Sequence, residues 1–405
     1  MLVKVIRHTI NRNFRKNRFH SSLNILGLSV GLASFMLIIL FVQQQRSYDA
    51  FHRSYEHIYR LIFDRDSDSW SGTPAPLGPF LKERIHEIRE SVRMEEAGDV
   101  MILHGEDRYY EKNLLYADNS FFRVFSFPLI QGENTVPLQA GNDIVLSRKT
   151  ARKIFGDEDA IGQTLQLFEH GEPFTVKAVV EDAPPNSSIN YSIIIPFKIL
   201  EKNAGWGKKN FTTFLRLDEK TRLGTTRKKM AQAIEKLGDQ GASLEGLALQ
   251  PMKEMRFEPI RGNTFGTIDR KYMFLFISAA FFLILLAAIN YTNLASAISV
   301  KRSKEVALKK VAGSSKRGII GEIIGESVIM ALLSFMLAII LVEWLRPVIN
   351  QTLQTTLQMD YGYLPWFLVV AVITGVLGGI YPALYCSNFR IMGLLKENIY
   401  RGMIE

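Results

Sequence analysis

Four stretches of the 405-residue chain carry almost no charge and are long enough, as helices, to cross a hydrocarbon layer. Such a layer is about 30 Å thick and takes roughly 20 helical residues. They are residues 23–42, 272–300, 327–342 with its flanks, and 361–389. This pattern constrains the fold more than any motif. Backbone polar groups in hydrocarbon must find partners within the protein, and a helix supplies them inside a single segment of this length. The first stretch is a poor signal peptide, because its apolar part is too long and no small-residue cleavage site follows; it reads as a retained anchor.

Charge supplies the orientation. The net charge of +9 is not spread evenly. Residues 1–22 carry +6, residues 299–318 carry +6 and the tail from 387 carries +1, whereas the large segment 45–271 carries −1. The positive-inside rule places both termini and the 299–318 loop in the cytoplasm, and 45–271 and 346–360 outside. A basic excess confined to one side of the spans argues against nucleic acid as the partner. The single cysteine, Cys386, lies near the cytoplasmic end of the last span, which leaves the outer segment without a disulfide.

The chain therefore reads as an α+β membrane protein with four transmembrane helices and a large extracytoplasmic mixed α/β domain between the first and second. The expected organisation is an amphipathic interfacial helix at 1–20 (Val3, Ile6, Ile10 and Phe14 among basic residues), spans at 21–43, 271–298, 319–345 and 363–388, the outer domain at 44–270, a cytoplasmic helix at 299–318, a short outer loop at 346–362 and a cytoplasmic tail at 389–405. In the outer domain, runs rich in β-branched and aromatic residues predict strands at 58–63, 174–180, 211–217 and 247–250. Helical spacing predicts helices at 77–90, 148–155 and 221–237, the last closing at Gly238. Small residues four apart, Gly27 and Gly31, Gly321 and Gly325, Gly375 and Gly379, with Pro382 beyond them, mark faces where span backbones can approach. Glu322 and Glu326 share one helical face at the start of the third span and belong at the interface or against protein.

Catalytic signatures are missing from the sequence. There is no P-loop string and no HExxH; residues 86–90, HEIRE, lack the second histidine and read as an exposed helix face. Gly27-Leu28-Ser29-Val30-Gly31 matches the GxSxG of a nucleophile elbow, but it sits inside an apolar span, where packing is the better reading. The chain is expected to be no enzyme, to hold no metal and to carry no cofactor of its own.

Residues 302–315, RSKEVALKKVAGSS, form a short charged helix ended by Gly313, with Val306 and Lys310 on one face and Leu308, Val311 and Ala312 on another. This segment resembles the coupling segment of MacB-like/FtsX-like ABC transporter permeases, with Lys309 where that family usually has arginine and Ala307 where it has glycine. The post-anchor string Arg46-Ser47-Tyr48-Asp49-Ala50-Phe51-His52 with Ile58-Tyr59-Arg60 is similar to the long Bacteroidetes-type members, as are 121–128, FFRVFSFP, and 151–156, ARKIFG. So are Ile289-Asn290-Tyr291-Thr292-Asn293-Leu294 at the end of the second span and Gly379-Ile380-Tyr381-Pro382-Ala383 in the fourth.

The resemblance implies a four-span permease subunit in the inner membrane, working as a homo- or heterodimer with a second permease half and with a separate cytoplasmic ABC ATPase pair that binds ATP and Mg. It implies a porter-like outer domain with an inserted lobe at about 113–170, and mechanotransmission from ATPase to outer domain. The implied ATPase-coupling surface is Arg302, Lys304, Glu305, Val306, Leu308, Lys309, Lys310, Gly313 and Ser314. Substrates in the family include macrolides, peptides and lipoproteins; an FtsX-like signalling role toward a periplasmic partner such as a cell-wall hydrolase is the alternative. Long members join two such halves in one chain, so this one either pairs with another half or is a fragment of a longer gene.

Overall fold

The computed structural model describes residues 18–65, 68–132, 136–168, 170–202, 204–238, 244–301, 303–353 and 356–388. Most of the expected amphipathic helix at 1–20, the tail from 389 and Arg302 lie outside the described residues. The chain forms two compact units, a sheet domain of residues 45–272 and a span unit made of the remainder. Helix α1 (Arg18–Arg46) opens the described chain.

The sheet domain is built on one mixed sheet, in which β1 (Ile58–Arg65), β2 (Asp68–Trp70), β3 (Ile88–His104), β4 (Asp107–Ala117), β5 (Leu129–Gly132) and β6 (Asp143–Ser147) come first in sequence. They are followed by β7 (Thr164–Leu167), β8 (Phe174–Val180), β9 (Ile193–Pro196), β10 (Thr212–Leu217) and β11 (Leu247–Pro251). The order across the sheet is β11-β1-β10-β3-β4-β9-β6-β8-β5, with β2 on β1 and β7 bridging β3 and β8. Strands β6 and β9 are buried along their whole length, and each has one parallel neighbour, β8 and β4 respectively. Continuous Ile/Val/Leu runs suit that position, because a strand covered on both faces needs apolar side chains on both.

Among the described residues the helices on this sheet are α2 (Leu77–Arg84), α3 (Phe121–Val124), α4 (Arg148–Phe155), α5 (Lys198–Glu201), α6 (Leu223–Glu235) and α7 (Met252–Met255). Helix α4 shows why its sequence folds as it does. Ser147 Oγ accepts the Thr150 amide at 3.2 Å, Thr150, Ala151, Ile154 and Phe155 make the buried face, and Gly156 ends the helix at φ +63°.

Helix α2 is shorter than its spacing predicts. The expected helix over 77–90 stops at Arg84, Ile85 is already extended, and Ile88 opens β3. Leu77, Leu81, Ile85 and Ile88 enter one cluster, so a helix followed by a strand delivers the same apolar positions a single helix would. The string 86–90 is therefore a turn and strand entry, not a helix face.

Strands β3 and β4 form a long hairpin that runs through both halves of the sheet, pairing β10 through residues 88–94 and β7 at Ile102 and Leu103. Gly98, at φ +80°, sits between two register shifts where the hairpin passes from one half to the other. The second half continues through β8 and β9 to Pro196, past the 113–170 interval of the expected insertion.

The span unit holds α8 (Arg270–Lys301), α9 (Ser303–Val311), α10 (Lys316–Leu353) and α11 (Leu364–Ser387). Helices α1, α8, α10 and α11 are long and apolar enough to cross a membrane. Leu28, Leu32 and Met36 of α1, Ala280 and Ala287 of α8, Ala331 and Ala338 of α10, and Phe367 and Ala371 of α11 share one core.

Candidate functional site

Helix α9, between the second and third spans, separates into the two faces its spacing predicts. Val306 is buried with Ile319 and Cys386, and Ile323 packs against them. On the same side Lys309 Nζ lies 2.6 and 2.9 Å from the two oxygens of Glu322 in α10 and 3.7 Å from Glu305 one turn earlier. Lys310 Nζ donates to the Ser387 carbonyl at 2.9 Å. That carbonyl belongs to the last residue of α11, where a cation also complements the negative end of the helix. The opposite face is presented: Leu308 is 71% and Val311 70% exposed, with Ala312, Gly313 and Ser314 also exposed. Gly313 adopts φ +86°, a turn that a residue with a Cβ resists, and the chain reverses there into α10.

Those of the nine residues expected on a partner surface whose side chains are described divide between two faces. Val306, Lys309 and Lys310 bind α9 to its own chain, Glu305 is half-buried beside Lys309, and Leu308, Gly313 and Ser314 face outward. Lys304 lies in the first turn of the helix.

Two of the family-like strings meet across spans two and four. Pro382 has no amide hydrogen, so it cannot bond the carbonyl four residues back, Gly378. Thr292 Oγ1 of α8 fills that gap, 3.1 Å from the Gly378 oxygen, while also bonding Ala288 O at 2.8 Å. A Cβ on Gly378 would stand 2.7 Å from the Tyr291 ring. The Asn-Tyr-Thr string and the Gly-Gly-Ile-Tyr-Pro string are two sides of one helix crossing.

Close approach also explains most of the spaced glycines. A Cβ on Gly31 would fall against Ala287 Cβ, one on Gly375 2.7 Å from Ala331 Cβ and 3.1 Å from the Ser327 carbonyl, one on Gly379 2.6 Å from Ser327 Oγ, and one on Gly27 3.1 Å from Asn290 Nδ2. Gly321 and Gly325 differ, for a Cβ at either meets nothing within 4 Å among the described residues. Glu326 is 7% exposed and faces protein, as a carboxylate in a span must.

The GxSxG string is plain helix. Ser29 is fully buried in α1 and its hydroxyl bonds the Leu26 carbonyl at 2.8 Å, so no exposed nucleophile exists there. Among the described residues no group of three or more His, Cys, Asp and Glu side chains is placed to hold a metal ion.

In the sheet domain the post-anchor string is a packed corner. Asp49, at φ +61°, is 1% exposed; its amide donates to Asn186 O at 2.9 Å and its carboxylate accepts the Ser188 amide at 2.7 Å. Burial raises its carboxyl to a pKa of about 6 despite those bonds. His52 packs among Phe51, Phe125 and Phe127, and its Nδ1 accepts the Ser126 amide at 3.0 Å. Its proton therefore sits on Nε2, which has no hydrogen-bond partner among the described residues, and burial lowers the imidazole to about 3.

Comparison with known proteins follows this geometry. The MacB-like periplasmic core domain family matches residues 21–233, and the FtsX-like permease C-terminal family matches residues 277–391. No curated protein matches the chain. Among solved structures, a domain of a protein described as a permease from Porphyromonas gingivalis is 20% identical, covers 49% of this chain and 89% of its own, and superposes at TM-score 0.42. The periplasmic region of MacB from Actinobacillus actinomycetemcomitans is 15% identical over 50% of this chain and 92% of its own, at 0.39. The extracellular domain of YknZ, a noncanonic ABC-type transporter from Gram-positive bacteria, is 16% identical over 48% of this chain and 99% of its own, at 0.36. With family matches on the sheet domain and on the last three spans, the protein is a multi-pass membrane permease subunit. The chain belongs to the MacB-like/FtsX-like family of ABC transporter permeases.

Proposed function

We propose that this subunit takes up ATP-driven motion from a separate cytoplasmic ABC ATPase through α9 and passes it to the sheet domain on the far side of the inner membrane. The motion serves export or extraction of a hydrophobic or amphipathic substrate. The carrying observation is the division of α9: one face is fixed to α10 and α11, and the other leaves Leu308 and Val311 exposed among the described residues. An apolar pair of that exposure suits a groove on a partner, with the turn at Gly313 setting how far the helix projects. The basic excess at 299–318 supports a cytoplasmic position for this loop and, with it, for both termini. Tyrosines and tryptophans at the ends of α10 and α11 support the spanning assignment, since Trp344, Tyr361 and Trp366 at one end and Tyr381 and Tyr385 at the other are all largely exposed.

The test is recovery of the tagged, full-length protein from its native membranes in mild detergent, with Leu308→Asp alongside. An ABC ATPase should accompany the unaltered chain and be lost from the variant. Equal recovery with both, or with neither, overturns the reading. Where the ATPase is recovered, the additive that raises its turnover separates roles: an amphipathic substrate indicates transport, an envelope protein indicates signalling.

A further inference from the structure

The short segment between β11 and α8 carries two arginine-centred knots, and they reach the residues where the first span ends and the second begins. In the first knot, Arg256 Nε donates to Gln45 Oε1 at 2.8 Å, its guanidinium lies 3.8 Å from the centre of the Tyr48 ring, and Nη1 bonds the Gly266 carbonyl. Its own carbonyl accepts the Ile268 amide at 2.8 Å. Gln45 is 2% exposed and lies in the last turn of α1, one residue before that helix ends. A cation stacked on an aromatic face and bonded to a buried amide is fixed on three sides.

The second knot starts in the core. Arg60 of β1 is fully buried, with Nε and Nη2 donating to Gln250 Oε1 at 3.1 and 2.7 Å and Nη1 to Asn263 Oδ1. A buried guanidinium is costly unless compensated. Here the compensating carboxylate is one residue removed: Gln250 Nε2 donates to Glu258 at 3.1 Å, so the amide of Gln250 hands the interaction on. Glu258 in turn accepts Arg270 Nη2 at 3.3 Å, and Glu254 lies 3.9 Å from the same nitrogen. Arg270 is the first residue of α8. One stretch of 21 residues, 250 to 270, therefore grips the sheet through Arg60, the end of α1 through Arg256, and the start of α8 through Glu258.

We propose that this segment is the element that ties the ends of the first two spans to the sheet, with Arg256 and Gln250 as its positioning residues, so that motion reaching either span is passed to the sheet through these two knots. The idea rests on the coupling role proposed above, but its structural half stands without any ATPase.

Hydrogen exchange on the full-length protein in lipid nanodiscs tests that half first. Arg256→Gln should raise exchange about tenfold or more in peptides covering 45–50 and 256–268 while leaving β3 unchanged. Gln45→Leu, which leaves the arginine in place, should do the same at 45–50 and serves as the arbiter if Arg256→Gln loosens the whole domain. Unchanged exchange at 45–50 in both variants overturns the proposal. The second readout adds the recovered ATPase with ATP: the unaltered protein should show a nucleotide-dependent change of exchange in the sheet domain, and Arg256→Gln and Gln250→Leu should lose it while still retaining the ATPase. Persistence of that change in either variant overturns the proposal. If no ATPase is recovered with any form, the coupling role fails, and the first readout alone decides whether the knots hold the span ends.

Discussion

The two units use apolar residues in opposite ways. In the sheet domain Phe121, Phe125, Phe197 and Phe214 are all 1% exposed or less, whereas in the span unit Phe274, Phe281, Phe282 and Leu286 are 60% exposed or more. The sheet domain gathers its large side chains inward because water drives them there. In the span unit Phe35, Phe335 and Phe367 are buried too, but the closest helix contacts go to small residues, Gly31 against Ala287 and Gly375 against Ala331, because lipid gives no hydrophobic drive to bury every phenylalanine and leaves close backbone contact as a main source of cohesion.

That contrast can be broken most forcefully by truncating a phenylalanine in each unit. Phe214 packs against Phe125 and Phe265 in the sheet core, so Phe214→Ala should cost about 3–5 kcal/mol and unfold the domain at markedly lower denaturant. Phe274→Ala should leave the melting of the detergent-solubilised protein within experimental scatter. Equal losses at both positions would mean that α8 is covered by protein and not by lipid.

Adding volume should reverse the ranking. Gly375→Val drives a side chain into Ala331 and the Ser327 backbone and should cost about 1–3 kcal/mol, read as a lower melting temperature in detergent. Gly321→Val, where a Cβ meets open space, should cost far less in the isolated chain. A large loss at Gly321 would indicate that a second polypeptide sits against that face in the solubilised protein.

The sheet domain alone should carry a pH signature, and its sign follows from two residues three apart. Below pH 6.5 the unfolded chain protonates His52, while the folded imidazole stays neutral until about 3, so this residue makes stability fall on acidification. Asp49 works the other way: the folded carboxyl keeps its proton up to about 6 and the unfolded one only to 3.8, so stability rises on acidification across that window. Each slope approaches about 1.4 kcal/mol per pH unit, and between pH 3.8 and 6 they oppose. Relative to the unaltered protein, Asp49→Asn should therefore lose stability from pH 6 to 4, and His52→Asn, whose oxygen can still accept the Ser126 amide, should gain it. Denaturant titration at pH 4, 5 and 6 followed by tryptophan emission reads both; changes in slope of the same sign in the two variants would refute the assignment.

How much of this was legible in the sequence depends on the distance over which each feature is encoded. The spans and the two faces of α9 are local patterns, apolar runs and a 3.6-residue period, and both emerge where the spacing puts them. The long hairpin is not visible in the sequence, because β3 carries Arg89, Glu90, Arg93, Glu95 and Glu96 among its apolar residues and matches neither an alternating nor a continuous apolar template. The roles of Lys309 and Lys310 were not visible either. Their partners, Glu322 and the Ser387 carbonyl, lie 13 and 77 residues away, and a backbone carbonyl has no letter in the sequence. Pro382 is the exception that a closer reading could have used, since a proline inside a span announces a freed carbonyl and hence a donor such as Thr292 nearby.

The smallest expected effect concerns the ion pairs, and it sharpens the comparison most finely. In the sheet domain Arg93 is 8% exposed, bonds Asp118 and Glu201 at 2.7 and 2.6 Å and stacks on Phe197 at 4.5 Å, a cation whose partners are needed to offset its burial. Lys309 and Glu322 are each about one-third exposed, in the range where a pair contributes roughly 0–1 kcal/mol. Glu322→Gln should accordingly leave melting almost unchanged. Its consequence should be positional, because Lys309 then keeps a carboxylate at Glu305 on its own helix and at most a neutral amide oxygen on α10, so the charged tie between α9 and α10 is lost while Val306 and Lys310 still hold. Spin labels on Leu308 and on an exposed residue of α10, Met336, should report a broader distance distribution in Glu322→Gln and a narrow one in the charge-exchanged double variant Lys309→Glu, Glu322→Lys. A distribution that stays narrow in the single variant would show that the apolar seat of Val306 fixes α9 without help from the pair.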